Sequence, residues 1–153
     1  AVVQLGVPAL AAHMFVFYFG IVADITPPVA LAAYAGSAIA GGNPLRTGIT
    51  AVKLAIAAFI IPYIFVNSPV LLLIDASLVQ IVAITITSLV GMVGVGAALE
   101  GFYFIRMNAV ERIVIFTGGI MLIDPGLYTD ITGISIFSAV TVLQILKKRK
   151  ITT

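Results

Sequence analysis

The sequence predicts an all-α integral membrane protein, a polytopic helical bundle in which one transmembrane helix is broken by two consecutive prolines. Hydrophobic residues make up 61% of the 153 residues and charged residues only 9%, whereas soluble domains carry about 25% charged residues. The mean hydropathy is +1.23. The run Asp24-Ile25-Thr26-Pro27-Pro28 lies within a long apolar stretch, and proline cannot continue a helix there without disrupting it.

Five apolar segments are candidates for membrane helices, each of which needs about 20 residues to span the hydrocarbon core. The first, 9–40, would be about 48 Å long as a straight helix, against a core of about 30 Å. We therefore expect two half-helices there, joined by extended backbone. The following helix is predicted at 45–66, and three more near 77–99, 108–123 and 129–146. Because 108–123 and 129–146 are short, a hairpin that only dips into the membrane stays open there.

Basic residues alternate with the predicted loops. Two connections carry Arg46, Arg106 and Arg112, and the tail carries the basic block 147–150, while the charged residues of the other two connections are all acidic. The positive-inside rule then places the C-terminus in the cytoplasm. The basic block follows a hydrophobic segment directly, so it is interpreted as a contact with the anionic leaflet and predicts no nucleic-acid partner.

The polar residues near the last helices receive structural interpretations. Glu100, Arg106, Glu111 and Arg112 are expected in a solvated cytoplasmic turn. Asp130 is expected to cap the last helix.

The break at the prolines is the predicted functional feature. Pro27 and Pro28 release the carbonyls of Ala23 and Asp24 from helical bonding, and these oxygens need another partner in the membrane. The first half-helix would present carbonyl oxygens that suit Na+, and the second, starting near Pro28, would present N–H groups that suit a carboxylate. The competing interpretation is a proline kink that only shapes the bundle.

The composition argues against an enzyme. The chain has no cysteine and one histidine, which disfavours a metal centre. Serine and threonine occur without a candidate base beside them, and no phosphate-binding glycine motif is present. We therefore predict no catalytic residue and no cofactor.

The stretch FYFGIVADITPPVALAAYAGSAIAGGNP, residues 17–44, resembles a known family. It is similar to the broken helix of the second repeat in the large membrane subunit of tripartite ATP-independent periplasmic (TRAP) transporters, especially the fused permeases that work with TAXI-type binding proteins. The later stretches LEGFYF, NAVERI and DPGLYTDITGI are similar to the C-terminal extension of those permeases. The resemblance implies that residues 1–66 are the C-terminal part of a transporter core and that residues 67–153 are a membrane extension with a basic cytoplasmic tail.

The resemblance implies a Na+-coupled secondary transporter in a prokaryotic inner membrane that takes up organic acids (carboxylates) from a periplasmic binding protein. Na+ is then the coupling ion. In that family the T-P-P segment helps to build a sodium site, which implicates Thr26 and carbonyls near 20–25, whereas Asp24 enters on the physical argument alone. The expected ion and substrate site comprises Gly20, Asp24, Ile25, Thr26, Pro27 and Pro28, with Na+ at Thr26 and the carbonyls of Ala23 and Asp24.

The chain starts at Ala1 without a methionine or a signal-peptide pattern. We therefore expect a C-terminal fragment of a larger permease, whose first repeat, binding protein and surrounding bilayer are its partners. The alternative function is a non-transporting helical anchoring or assembly subunit.

Overall fold

The predicted fold class is confirmed: the chain is an all-helical membrane protein. The computed structural model describes residues 6–152, with side chains to residue 150, and the regular elements of that range are helices. In chain order they are α1 (Ala9–Ala23), α2 (Leu31–Ile39), α3 (Pro44–Leu54), α4 (Ile56–Asn67), a 3-10 turn (Pro69–Leu72), α5 (Leu78–Glu100), α6 (Ala109–Ile123) and α7 (Leu127–Thr152).

Two helices in the described range are long and apolar enough to cross a membrane, α5 and α7. A third crossing is formed if α3 and α4, which meet at a bend of 40°, act as one span. α1 is apolar but has only 15 residues, and the proline break separates it from α2. The crossing number and the side on which each end lies therefore remain predictions.

The chain forms two compact units, the first ending at Ile74 and the second beginning at Asp75. In the first unit α1 packs against α4, and α2 packs against α3. The α1–α4 contact is largely aromatic: Tyr63 lies edge-on to Phe15 and Phe19, with ring centroids 5.3 and 5.8 Å apart. Tyr18 meets Phe65 in the same way at 5.3 Å. Such edge-to-face pairs stabilise beyond the area that they bury.

The exit from α2 follows directly from its sequence. Gly41 has a φ of +65°, and the Gly42 N–H donates to the Ser37 carbonyl at 2.8 Å, which is a Schellman ending. Asn43 then caps α3, because its side chain accepts the Arg46 N–H at 3.0 Å, and Pro44 occupies the first helical position. Four consecutive residues thus end one helix and start the next.

The predicted segment 45–66 lies across two helices. The chain bends at Ala55, where the Ala58 N–H bonds to the Ala55 carbonyl at 2.8 Å in a tight turn. No glycine or proline occupies position 55, so the sequence carries no local signal of this bend. The proline of this segment, Pro62, is buried within α4 seven residues later.

In the second unit α6 packs between α5 and α7. Small residues permit the close approach: a Cβ atom on Gly91 would lie 2.5 Å from the Gly119 carbonyl oxygen, and one on Gly119 would lie 2.7 Å from the Gly91 oxygen. The backbones of α5 and α6 therefore touch, as small residues allow in membranes. Gly96, by contrast, faces open space.

Side chains and backbone define the helix ends of this unit. Ser77 with Gln80, and Asn108 with Glu111, form reciprocal capping boxes at the starts of α5 and α6. Gly101, with a φ of +69°, ends α5. The prediction that Asp130 caps α7 is wrong, because the helix already begins at Leu127. Asp130 instead adds a negative charge to its first turn.

The predicted solvated turn is solvated only in part: Glu100 and Arg106 are exposed, as predicted, whereas Glu111 and Arg112 are packed. Glu111 is 8% exposed; it accepts a hydrogen bond from the Gln144 amide at 2.9 Å and pairs with Lys147. Gln144 is fully buried and accepts the Ile105 N–H at 3.2 Å. Polar residues near a helix end were expected to face water, but these bridge α6, α7 and the loop between α5 and α6.

Candidate functional site

The first half-helix ends in a series of hydrogen-bonded turns. Asp24 occupies the C-cap of α1, and the Ile25 N–H donates to the Val22 carbonyl at 3.2 Å. The Ala30 N–H donates to the Thr26 carbonyl at 3.0 Å. The prediction of extended backbone between the half-helices is therefore wrong. Turns satisfy main-chain groups locally, which an extended segment in an apolar environment cannot do.

The second half-helix starts later than predicted. α2 begins at Leu31 rather than near Pro28, after Ala30, which is buried and has a φ of +39°. A non-glycine residue in this left-handed region is strained and persists only where the surroundings impose it. The connection between the two half-helices thus covers 24–30.

The two carbonyls released by the prolines have found main-chain partners. The Ala23 oxygen accepts the Thr26 N–H at 3.2 Å, and the Asp24 oxygen accepts the Ala32 N–H at 2.9 Å. The second bond joins the carbonyl end of α1 directly to the amide end of α2. Since a carbonyl oxygen has two lone pairs, each oxygen keeps capacity for a further partner.

The Thr26 hydroxyl is oriented by a bond of its own. Its Oγ1 donates to the Val22 carbonyl at 2.7 Å. A hydroxyl group has one proton and two lone pairs, so with the proton directed at Val22, the lone pairs remain for another ligand. This side chain is half-buried, whereas the neighbouring Asp24 is exposed.

The remaining predicted site residues differ in burial and in their position relative to Thr26. Ile25 and Pro27 are half-buried beside Thr26, and Pro28 is exposed. Gly20 lies one helical turn before the break, exposed, and a Cβ atom there would meet nothing within 4 Å. The structure therefore brings 24–28 together and leaves Gly20 on the open side of α1.

Gly48 of α3 is a residue of this region that the sequence reasoning missed. A Cβ atom on Gly48 would lie 2.9 Å from Cγ of Pro27 and 3.4 Å from the ring of Tyr34. The break therefore rests against the backbone of α3. A small residue in a helix carries no sequence signal that would have paired it with a proline 21 residues earlier.

The groups gathered at the end of α1 are all oxygen acceptors: main-chain carbonyls, the Thr26 hydroxyl and the Asp24 carboxylate. The C-terminus of a helix carries a partial negative charge, and hard cations prefer oxygen ligands. In the described part of the chain no basic side chain occupies the last turn of α1. Nor does that part contain a cluster of three or more His, Cys, Asp or Glu residues suited to a transition metal.

Comparison with known families finds a match over the first part of the chain. A family model described as "Tripartite ATP-independent periplasmic transporter, DctM component" matches residues 1–81, which include the break and its flanking helices. No curated protein and no solved structure matches the chain.

Proposed function

This chain belongs to the family of the DctM component of tripartite ATP-independent periplasmic transporters, and on that premise we propose that it is part of a Na+-coupled permease for carboxylates. The family is one of transporters rather than enzymes. Na+ would bind at Thr26 and at the carbonyl oxygens of Ala23 and Asp24. The substrate carboxylate would lie near the N-terminus of α2.

One observation carries the cation half of this proposal. The end of α1 combines a helix C-terminus, a carboxylate and a hydroxyl whose proton is already engaged by Val22. Each of these features favours a positive charge, and Na+ is the hard monovalent ion that such oxygens accept. Broken helices with this polarity recur at the binding sites of secondary transporters.

The proposed partners follow from the family. A DctM component acts with a periplasmic substrate-binding protein and a small membrane subunit, and we place the complex in a prokaryotic inner membrane with the C-terminus of this chain in the cytoplasm. The family match ends at residue 81, early in α5. We propose that the residues after it are the C-terminal extension of a TAXI-type fused permease and that the chain is a fragment of that protein.

The test is the Na+ dependence of thermal unfolding, measured on the complete permease in detergent, with choline chloride replacing NaCl at constant ionic strength. Ligands that bind only the native state stabilise it as their concentration rises above Kd. We expect the unfolding temperature to rise with Na+ and the rise to be much smaller in Thr26→Ala.

Thr50→Ala is the matched control, because the Thr50 hydroxyl also donates to the carbonyl four residues earlier, that of Arg46, at 2.9 Å. It should lose the same type of bond and keep the Na+ effect. An equal Na+ response in wild type and Thr26→Ala would refute the proposed cation site. Absence of any Na+ response in the complete permease would favour the alternative of an anchoring subunit.

A further inference from the structure

Two adjoining depressions lie where α5 ends and α6 begins. One is an open apolar groove of about 310 Å³ lined by Ala98, Leu99, Ala109, Arg112, Ile113 and Phe116. The other is a more polar cleft of about 390 Å³ lined by Glu100, Gly101, Phe102, Arg106, Met107 and Arg112. Arg112 belongs to both, so the apolar groove runs up to a guanidinium and continues into the polar cleft.

Arg112 is held rigidly at this junction. Its Nε donates to the Ala98 carbonyl at 2.7 Å, and its Nη2 donates to the Leu99 carbonyl at 3.0 Å. A guanidinium has five N–H donors, and these two bonds leave others for an anion. The side chain therefore fixes the end of α5 and still presents positive charge between groove and cleft.

Arg106 faces the same cleft from the loop between α5 and α6. The Met107 N–H donates to the Gly101 carbonyl at 2.9 Å, and Phe102 and Arg106 form an antiparallel bridge, so this loop is tightly folded. Among residues 6–150, whose side chains the structure describes, no ion pair between Arg106 and a carboxylate is formed. The Arg106 side chain is exposed, so its charge is accessible from outside.

The basic end of α7 lies beside this loop. Lys147 pairs with Glu111, and Nζ of Lys148 lies 5.9 Å from the ring centre of Phe104. Together with Arg106, Arg112, Arg149 and Lys150, this end of the second unit gathers six of the eight Lys and Arg residues of the chain. Only two carboxylates, Glu100 and Glu111, are near them in the sequence. The local field is strongly positive.

We propose that this groove and cleft bind one anionic glycerophospholipid of the bilayer, with an acyl chain along the apolar groove and the phosphate at Arg106 and Arg112. An amphiphile matches both halves of the site, whereas a soluble anion would leave the apolar groove unused. Basic pockets at helix ends recognise anionic headgroups in this manner. The inference depends on membrane embedding and is independent of Na+ coupling.

The test uses the complete permease, stripped of lipid in detergent and titrated with phosphatidylglycerol or with phosphatidylcholine of the same acyl chains, with bound lipid counted by native mass spectrometry. A basic residue near an anionic headgroup contributes about fivefold in affinity. We expect phosphatidylglycerol to bind more tightly, because its headgroup carries a net negative charge whereas the choline cation of phosphatidylcholine offsets its phosphate. Arg106→Gln should weaken phosphatidylglycerol binding about fivefold and phosphatidylcholine binding by less.

The apolar half is tested by Ala109→Leu, which fills the groove from an exposed position at the start of α6. If that variant does not fold, Ile113→Phe takes its place, because Ile113 is also exposed and also lines the groove. Either should weaken both lipids. Ala83→Leu is the matched control, since Ala83 lines a separate groove whose lining residues are all apolar. Arg46→Gln is the control for charge.

Equal affinity for the two lipids, or unchanged binding in both groove variants, would overturn the proposal. So would an equal loss in Arg46→Gln or Ala83→Leu, because binding would then be non-specific. Inorganic phosphate binding as tightly as phosphatidylglycerol would also overturn it, because the apolar groove would then contribute nothing and the site would be one for free anions. If the complete wild-type permease binds phosphatidylglycerol as expected but its unfolding temperature does not respond to Na+, the proposed function is overturned and the lipid site still stands.

Discussion

α1 and α5 both end beside a carboxylate, but their C-termini are stabilised in different ways. Asp24 follows the last residue of α1, and Glu100 is the last residue of α5. A negative charge at a helix C-terminus is unfavourable. At α5 the guanidinium of Arg112 binds the carbonyls of Ala98 and Leu99. At α1 the partners are main-chain N–H groups and the Thr26 hydroxyl.

The difference separates a structural helix end from a candidate binding site. The end of α5 already contains a cation of the protein, so it has no need of a dissolved one. The end of α1 gathers similar oxygen atoms without such a cation in the described residues. A mobile ion can supply that charge, and its binding can then be coupled to transport.

The largest expected effect comes from removing the break itself. In Pro27→Ala/Pro28→Ala, N–H groups are restored that can donate to the carbonyls of Ala23 and Asp24 in a continuous helix. We expect Na+-dependent uptake by the complete permease in vesicles to be abolished, with the protein still folded. Pro44→Ala is the control, because the first residue of a helix needs no N–H partner. Normal uptake by the double variant would make the break purely architectural.

Arg112→Met removes the cation from the end of α5. Hydrogen bonds to charged groups contribute about 1.5–3 kcal/mol each, and we expect a loss of about 3 kcal/mol in the free energy of unfolding, measured by denaturation in detergent. Arg106→Met should lower the free energy of unfolding far less, because Arg106 bonds to neither of these carbonyls. Similar losses in the two variants would mean that the carbonyls of α5 do not depend on Arg112.

Gly48→Ala tests whether α3 holds the break in place. The added methyl group would lie 2.9 Å from Cγ of Pro27, and overpacking of this kind costs about 1–3 kcal/mol. We expect about 2 kcal/mol, together with a weaker Na+ response. Gly36→Ala in α2 meets nothing within 4 Å and should be neutral or slightly stabilising. Equal behaviour of the two variants would show that Pro27 moves away without cost.

The smallest effect is expected from neutralising the two carboxylates. Without Na+, Asp24→Asn should stabilise the protein by about 0.5 kcal/mol, because it removes a charge that the helix end disfavours. Glu100→Gln should gain less, since Arg112 lies at that end of α5. The comparison is made by thermal unfolding in choline chloride. A larger gain for Glu100→Gln would contradict the asymmetry between the two helix ends.

The features that could be predicted are those marked by local backbone chemistry. Pro27 and Pro28 required a break, and the predicted end of the first segment at 40 and start of the next at 45 each lie within one residue of the observed ends, Ile39 and Pro44. The bend at Ala55 could not be predicted, because it involves no proline, glycine or polar residue at that position. The start of α2 at Leu31 also followed from the turns in the connection rather than from the prolines alone.

By itself the sequence determined the membrane class, the helical segments and the broken helix, because hydropathy and proline act over a few residues of the same chain. Only the tertiary structure decided which N–H groups the released carbonyls accept, that Gly48 packs against Pro27, and that Arg112 binds the end of α5 instead of facing water. These depend on which donor lies within about 3 Å of which acceptor, and that distance is set by the packing of residues far apart in sequence. Whether a helix end belongs to the scaffold or is left for an ion is thus a property of its neighbours.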